Sequence, residues 1–252
     1  MKDATTALFC TLVSLCTASV IGADEPVAKD RQELQREAGA AFENASAANW
    51  QEVFFDVGTG DWKERWFLDG EVGKVKTGAN GMELTAGPEF KNDAHHMVLW
   101  TRDSFAGDLK IEFDYTRLDD ETRCVNILYI QATGSGKAQF ESDIFKWNEL
   151  RRVPSMRMYY GQMHAYHISY AAFPYDEDAT GYIRARRYLP DTSSLKATNL
   201  EPDYYPEGLF KPGVPHKITV IKKPRDLFMR IEVDRINAYI ESDSSNCDRP
   251  DR

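Results

Sequence analysis

The sequence predicts an all-β fold, a sandwich or jelly roll, for most of this 252-residue chain. From Trp50 onward, short runs that alternate apolar and polar residues recur at regular intervals, and turn signals such as Asn80-Gly81 separate them. A helical period is almost absent from this part of the chain. The length suits one domain of this class with one hydrophobic core.

Composition places the chain among globular proteins and narrows its partners. Apolar residues make up 42% of the chain and aromatic residues 12%, which are values of a folded protein. The net charge of -9 argues against nucleic acid and anionic membranes as partners, because both require a basic footprint. The sequence has no CxxC pair, zinc-ligand spacing, phosphate-binding loop or calcium loop, so it predicts neither a metal nor a cofactor, and a structural calcium of the kind found in jelly rolls stays open.

The first residues have the features of a secretory signal. Lys2 precedes the apolar run Ala4–Ile21, and the small residues Gly22 and Ala23 lead into a charged segment. The run is too short and too rich in Thr and Ser for a comfortable membrane span. We therefore expect residues 1–23 to be a signal peptide, and the mature protein to be secreted or periplasmic with no membrane attachment.

Three segments follow the predicted signal. Residues 24–48 are charged and rich in alanine, which favours an exposed, loosely amphipathic helix or a disordered lead-in. Residues 49–241 form the predicted jelly-roll domain, and residues 242–252 form a polar tail. Besides the stretch discussed below, strands are expected in the runs WQEVFFDV, WFLDG, EVGKVKTG, MELTAGP, HHMVLWTR, DLKIEFDYTRL, RCVNILYIQA, GYIRARRYLP, HKITVIKK and LFMRIEVD.

Two of these regions carry a more specific expectation. The run RCVNILYIQA is apolar on both faces, which is typical of a central strand covered on two sides. Residues 137–153 form a predicted insertion with a short helix around Phe145–Leu150. Within this insertion, Trp147 is expected to be exposed, since a loop tryptophan can stack on a sugar ring.

The order of the motifs DWKERWFLDG, VKTGANGMEL, VLWTRDSFAGDLKIEFDY and VNILYIQATG resembles that of bacterial secreted proteins of the concanavalin-A-like lectin/glucanase superfamily. The chain is more closely similar to a family of unknown function within that superfamily, and more distantly to keto-glycoside hydrolase-like domains. The resemblance spans Trp50 to Asp234 and implies a two-sheet concanavalin-A-like jelly roll and a carbohydrate context. Such jelly rolls usually close with a strand that begins Gly-Arg-Ile or Gly-Arg-Val. This chain ends INAYIESDSSNCDRPDR instead, and a missing final strand would expose a sheet edge.

The stretch from Met156 to Ala172, MRMYYGQMHAYHISYAA, is the strongest candidate for a functional site. Its many β-forming residues predict one strand. With a period of two, one face of that strand carries Tyr160, Gln162, His164, Tyr166 and Tyr170. That face is too polar for a sandwich core and too aromatic for a solvent-exposed surface without a function. We interpret it as the floor of a binding groove.

Four residues of this face are candidates for catalysis. The triplet Gln162-Met163-His164 resembles the Gln-x-His motif of alginate-lyase-type jelly rolls, in which a base, a tyrosine acid and carboxylate-neutralising groups act on a uronate. By this resemblance, His164 would be the base and Gln162 would neutralise the carboxylate. Tyr160, Tyr166 or Tyr170 would then supply the phenolic acid.

Five further residues are candidates for substrate binding: Arg157, Trp147, Tyr170, His167 and Asn126. Arginines around the stretch concentrate positive charge in an acidic protein, which favours an acidic polymer as ligand. In a regular strand His167 points to the face opposite His164. The alternative is that the His and Tyr side chains pack under a loop, with the arginines paired to the acidic residues 176–178.

Glu112 and Asp114 form a second constellation. They are two apart on a predicted strand and therefore share a face at roughly 6–7 Å, a separation compatible with a glycosidase pair. However, Ile111 and Phe113 alternate with them as a core face should, so we interpret the two carboxylates as part of an exposed strand face. His216 opens a hairpin strand and is expected to be structural.

These observations lead to one principal hypothesis. The protein is an exported monomer that binds and cleaves a polysaccharide, preferably acidic, in a groove on the concave sheet. As an enzyme it would be a polysaccharide lyase or a glycoside hydrolase, and the sequence leaves this choice open. The first alternative is a non-catalytic, lectin-like module that uses the same groove, and the second is a structural cell-surface domain without a ligand.

Overall fold

The computed structural model of the protein describes residues 30–121, 125–173, 181–192, 194–234 and 236–243. The helices are α1 (Arg31–Ser46) and α2 (Met156–Gln162), and 3-10 turns include Trp62–Glu64, Asp93–His95, Ile144–Arg151 and Leu195–Thr198. The strands are β1 (Trp66–Asp69), β2 (Lys74–Gly78), β3 (Gly81–Thr85), β4 (Val98–Thr101), β5 (Leu109–Thr116), β6 (Asn126–Gly134), β7 (Met163–Ala172), β8 (Tyr182–Tyr188), β9 (Asn199–Tyr204), β10 (Pro215–Lys222), β11 (Asp226–Val233) and β12 (Ile236–Asp243).

Two four-stranded antiparallel sheets form a sandwich, which confirms the predicted all-β class and is consistent with a jelly roll. Sheet I has the strand order β12-β11-β10-β5, and sheet II has the order β6-β7-β8-β9. Two smaller ladders pair β1 with β4 and β2 with β3. Period-two alternation sends one set of side chains from each large sheet into the space between them.

The main core fills the space between the two large sheets. Val220 and Met229 of sheet I and Ile168 and Ile183 of sheet II are each at most 1% exposed. Burying a side chain of this size stabilises the fold by about 1.5–3 kcal/mol before conformational entropy is counted. This core fixes the register of both sheets, because a slip by one residue would turn every apolar side chain outward.

Helix α1 is an integral cover of sheet I. Phe42 and Ala45 pack against Ile221 and Phe228 on the face of the sheet that points away from the main core. The helix also protects the edge strand β12, because the Gln35 side chain donates to the Tyr239 carbonyl (2.6 Å) and accepts from its N–H (2.8 Å). The segment predicted as an exposed or disordered lead-in therefore contains a helix with a buried face.

Sheet II is covered on both faces. Its inner face meets sheet I, and its outer face is partly covered by β1, β4, α2 and the turn Ile144–Arg151. Within this covering layer, Phe67, Trp100 and Tyr159 are buried. Every residue of β7 except His164 is consequently buried, which explains the long run of aromatic and small residues in that strand.

The structure corrects two sequence-based expectations about strands and answers the open question of the closing strand. The run WQEVFFDV forms no strand. The run RCVNILYIQA supplies β6, which is an edge strand of sheet II, whereas β7 is central. The segment INAYIESD forms β12 and pairs with β11 along its whole length, so a closing strand is present. Strand β12 ends at Asp243. The pattern of β12 is period-two, with Ala238 and Ile240 buried.

Candidate functional site

The predicted groove strand is a helix followed by a strand. Residues Met156–Gln162 form α2, and β7 begins only at Met163. Met, Arg and Gln are good helix formers, and the tyrosines between them have only a modest helix penalty, so local propensity permits either structure. Tertiary contacts favour the helix, because in it Tyr159 packs into the buried cluster under β1 and β4. A continuous period-two face from residue 160 to 170 therefore does not exist.

Two predicted residues of β7 are core residues, and Asn126 of β6 is partly buried beside them. Tyr166 and Tyr170 are 6% and 8% exposed and belong to the core between the sheets. The Tyr170 ring meets the Tyr115 ring edge-on, with centroids 5.1 Å apart. Asn126 donates from its side-chain amide to the Tyr115 hydroxyl (2.9 Å). The face that was interpreted as a groove floor thus points toward sheet I, and His164 is its partly exposed end.

The remaining predicted residues lie apart from one another. Arg157 is exposed on α2, and Tyr160 packs edge-on against the Tyr188 ring at 6.3 Å. Gln162 ends the helix, where its carbonyl accepts the N–H of Ser135 (2.9 Å).

Trp147, expected to be exposed for sugar stacking, is only 3% exposed. Its indole N–H donates to the Glu141 carbonyl (2.9 Å), and its ring packs edge-on against Phe140 at 5.2 Å. The insertion folds back onto sheet II, so this tryptophan is part of the covering layer. The expectation of an exposed tryptophan is therefore wrong.

His167 lies on the outer face of sheet II, as the alternation predicted, and it is 2% exposed. Its Nδ1 is 2.5 Å from the Tyr188 hydroxyl, and its Nε2 is 2.7 Å from the Ser169 hydroxyl. Burial, followed by the nearby charges of Arg186 and Arg184, lowers the pKa of His167 well below its usual value. The imidazole is therefore neutral at physiological pH, with both nitrogens engaged by hydroxyl groups.

Strand pairing places more polar residues beside His167 on this outer face. Arg186 is directly opposite His167 across β7 and β8, and Arg184 is opposite Ser169. Asp203 of β9 accepts two hydrogen bonds from Arg184, one from its Nε at 2.7 Å. We call this set, His167, Ser169, Arg184, Arg186 and Asp203, the polar face of sheet II.

Arg186 is the most unusual member of the polar face. It is 7% exposed, and its guanidinium donates to the Leu195 carbonyl (2.7 Å), the Asn199 side-chain carbonyl and the Thr198 hydroxyl (3.5 Å). These acceptors are all neutral. Burial is the main cause that lowers the pKa of Arg186; the charge of Arg184 also lowers it, while Tyr188, Tyr182 and the carboxylate of Asp203 act in the opposite direction. Among the described residues, no carboxylate forms an ion pair with Arg186.

The polar face is deep at one end and open at the other. Ser169, His167 and Arg186 are buried, whereas the Arg184 side chain is 26% exposed. Two aromatic residues border the open end: the Arg184 guanidinium lies 4.9 Å from the centre of the Tyr182 ring, and the hydroxyl of exposed Tyr205 donates to Asp203 (3.3 Å). The carboxylate of Asp203 in turn raises the pKa of Arg184.

A pocket of about 220 Å³ adjoins this open end. Tyr182 lines it together with Phe173, Leu209 and Phe210, so its wall is largely aromatic and aliphatic. The pocket lies at the ends of β7 and β8 and beside the loop that precedes β10. The acidic residues 176–178, considered as partners for the arginines, fall outside the described residues.

A second buried polar cluster lies under β1 and β4 and has a structural role. Asp69 and Arg151 form an ion pair with both side chains 0% exposed, at 2.5 Å between Nε and Oδ2. Asp69 also accepts from the Trp100 indole (2.8 Å) and the Tyr159 hydroxyl (3.0 Å). Every charged group here has partners within the protein, so the cluster joins the covering layer to the sheet.

Glu112 and Asp114 are exposed on the outer face of sheet I, as the sequence predicted. Glu112 pairs with Lys110 at 3.4 Å, and Asp114 is opposite Lys217 of β10. They are separated from the polar face by the whole sandwich. No group of three or more His, Cys, Asp or Glu side chains in the described part of the chain is placed to hold a metal ion.

Sequence reasoning identified His167 but missed Ser169, which contacts it, and Asp203, which pairs with Arg184. The signal for the arginines was present, since YIRARRY places Arg184 and Arg186 two residues apart and so on one strand face.

Comparison with protein-family models, curated proteins and solved structures finds no match. Within the described residues, no helix is long and apolar enough to cross a bilayer.

Proposed function

We propose that this protein is an exported, non-catalytic carbohydrate-binding protein that takes an anionic saccharide at the polar face of sheet II. The observation that carries the proposal is Arg186, a nearly buried guanidinium held by neutral acceptors and placed beside a second arginine. A buried cation whose hydrogen-bond acceptors are all neutral is costly, and a bound anion offsets that cost. The resemblance of the chain to concanavalin-A-like proteins supports a saccharide as the carrier of the anion.

The charge on the polar face favours an acidic ligand. His167 is neutral, and Asp203 is already engaged by Arg184, so the described groups leave an excess of one positive charge. Arginine presents a planar fork of donors that fits a carboxylate or a sulfate. Arg184 is the partly exposed member of the pair and can extend this fork toward solvent. A uronate or a sulfated sugar matches these features.

The open end offers contacts for the sugar ring itself. Tyr182 and Tyr205 border the Arg184–Asp203 pair, and tyrosine rings pack against the apolar C–H faces of sugars while their hydroxyls bond to water or ligand. The pair provides charged donors and acceptors in fixed geometry. Such a mixture of flat apolar surface and oriented polar groups is typical of a small-ligand site.

The geometry favours binding over cleavage. A general base must approach the proton that it removes, but His167 is 2% exposed and both its ring nitrogens are within hydrogen-bond distance of protein hydroxyls. Ser169 is 4% exposed and equally out of reach. On this reasoning the lectin-like alternative is preferred to the lyase and hydrolase hypotheses.

The test is affinity electrophoresis of the mature protein in gels that contain a polyuronate, a sulfated polysaccharide or a neutral glucan. We expect retardation by the acidic polymers alone and its loss in Arg184→Gln. Arg152→Gln is the matched control, because Arg152 is an exposed arginine that pairs with Glu71 away from the polar face. Equal retardation of both variants would show that retardation depends only on the net charge of the protein, and it would refute the proposed site.

The same polymers are assayed for cleavage by the ultraviolet absorbance of unsaturated products and by reducing ends. We expect neither signal to rise. A rise of both signals would indicate β-elimination, and a rise of reducing ends alone would indicate hydrolysis. Either result would overturn the non-catalytic proposal and restore the enzyme hypotheses.

A further inference from the structure

A row of exposed apolar side chains precedes β1. Val53, Phe55 and Val57 are 68%, 62% and 58% exposed, while Phe54 and Asp56 between them are partly buried. This period-two alternation is that of extended backbone. Monomeric proteins expose single apolar side chains commonly, but seldom three large ones in a contiguous row. We call these three residues the apolar row.

The inward side chains hold the apolar row in a fixed position. Phe54 packs edge-on against Trp66 at 5.6 Å, and the Arg65 guanidinium lies 4.1 Å from its ring centre. Asp56 accepts from the Trp66 indole (2.6 Å) and from the N–H of Gly58 (2.7 Å). Since both inward residues are anchored, the backbone of the segment needs little ordering on association.

The backbone of the segment is also unpaired. Within the described residues, no backbone–backbone hydrogen bond involves residues 53–57, and the carbonyl of Phe55 accepts only the guanidinium of Arg65. Alternate residues of an extended chain direct their N–H and C=O groups to opposite edges. Because Phe55 directs its carbonyl toward Arg65, the groups of Phe54 and Asp56 point to the other edge, which is a template for another strand.

We propose that the apolar row is a self-association surface, at which two copies of this chain pair antiparallel about a two-fold axis through Phe55. The row is palindromic: such an axis places Phe55 opposite Phe55 of the second copy and Val53 opposite Val57. Phe54 lies opposite Asp56, and each such pair exchanges two ladder hydrogen bonds. A closed dimer requires a self-complementary patch of this kind.

Charge selects the antiparallel arrangement. In the antiparallel pair no two like charges are directly opposite, whereas a parallel, in-register pair would set Asp56 beside Asp56 of the second copy. Like charges directly opposite one another destabilise strand pairs. The charges therefore favour the antiparallel pair, which is the arrangement that the two-fold axis through Phe55 generates.

The area at stake predicts a weak, reversible dimer. Pairing through the strand edge covers the backbone edge and the flanks of the three side chains and leaves their outward faces in solvent, so the buried area is well below the ~800 Å² per partner of a standard stable interface. Four ladder hydrogen bonds add to this but do not replace the missing area. We expect a dissociation constant in the high micromolar range, so the monomer inferred from the sequence is the form present in dilute solution.

The test is sedimentation equilibrium of the full chain from low micromolar to about millimolar concentration. We expect the weight-average mass to rise toward twice that of the monomer. Phe55→Ser should remain monomeric throughout. Leu84→Ser is the matched control, because Leu84 is 54% exposed on β3 but is not part of the apolar row, and this variant should dimerise as the parent does.

Amide hydrogen exchange supplies a second readout. At high protein concentration the N–H groups of Phe54 and Asp56 should become protected, and this protection should be absent in Phe55→Ser. A parent chain that remains monomeric refutes the proposal, as does equal dimerisation of both serine variants. If the parent stays monomeric and Phe55→Ser loses binding to a polysaccharide, the row belongs to a saccharide site instead.

Discussion

Mild acid should destabilise the protein through two buried, neutral histidines. His167 is held between two hydroxyl groups, and His216 is 1% exposed. The Nε2 of His216 accepts the N–H of Phe210 (2.9 Å), so its proton must be on Nδ1, which faces the Val214 carbonyl (2.8 Å). Burial is the main cause that lowers the pKa of each histidine. Neither side chain can take a second proton without losing a contact or paying a desolvation cost.

The sign and the size of the effect follow from proton linkage. A histidine with a lowered pKa in the folded state contributes stability that is complete above its unfolded pKa, near 6.5, and is lost as the pH falls toward its folded pKa. Between about pH 7.5 and pH 5.5, one such histidine reduces the free energy of unfolding by about 1.4 kcal/mol. We expect the full amount from His167 and at most the same from His216. The total loss is therefore between about 1.4 and 2.7 kcal/mol.

Urea unfolding followed by tryptophan fluorescence at the two pH values measures this loss. Tyr188→Phe is the matched variant: it removes one partner of His167 but not its burial, so it should lower stability by about 1–2 kcal/mol at both pH values and preserve the difference between them. His167→Gln should shrink the difference by about 1.4 kcal/mol. A nuclear magnetic resonance titration that gives His167 a pKa near 6.5 in the folded protein would refute the reasoning.

Three further predictions concern the covering elements. Arg151→Met should cost about 3–5 kcal/mol in urea unfolding, because it leaves a buried carboxylate unpaired, whereas Arg152→Met at an exposed ion pair should cost less than about 1 kcal/mol. Phe42→Ala should cost about 3–5 kcal/mol by detaching α1 from sheet I, against a small change for the exposed Leu84→Ala. Trp147→Phe should lower stability but leave polysaccharide affinity unchanged, and a reduced affinity at unchanged stability would restore its predicted role in sugar binding.

The all-β class could be predicted from the sequence because it rests on local patterns. Alternation in DLKIEFDY and LFMRIEVD marks β5 and β11, and their polar faces are exposed or partly so, as expected. The same rule could have identified β12, since INAYIESD alternates too. The lack of a Gly-Arg start does not argue against this strand, because strand pairing does not require that dipeptide.

The choice of the functional face could not be predicted from β7 alone. Both faces of this strand are covered, so tyrosines occur on each, and polarity no longer separates core from groove. His164 and His167 fall on opposite faces, and only the position of sheet I decides which of them meets the core. The partners Arg186 and Asp203 reach His167 and Arg184 through strand pairing, which a single strand does not reveal.

Contacts between residues that are distant in sequence also could not be predicted. Asp69 and Arg151 form a buried ion pair but are far apart in sequence, and neither lies in a motif that predicts the pairing. Arg151 donates to the Trp147 carbonyl, and Asp69 accepts from the Tyr159 hydroxyl, so the pair joins the insertion and helix α2 within the covering layer. Both wrong expectations, the exposed tryptophan and the uninterrupted strand from residue 156, therefore concern residues that contact this buried pair.

If the two proposals both hold, self-association should strengthen binding to polymers without changing the site. A dimer carries two polar faces, and a long polysaccharide can engage both, so the second contact becomes intramolecular and can raise the apparent affinity by about a hundredfold. A short oligosaccharide gains nothing from this. Phe55→Ser should therefore weaken binding to an acidic polymer but leave binding to its oligosaccharide unchanged, whereas Arg184→Gln should weaken both. Isothermal titration above and below the dimer dissociation constant separates these cases, and equal losses for polymer and oligosaccharide in Phe55→Ser would show that Phe55 contacts the sugar directly.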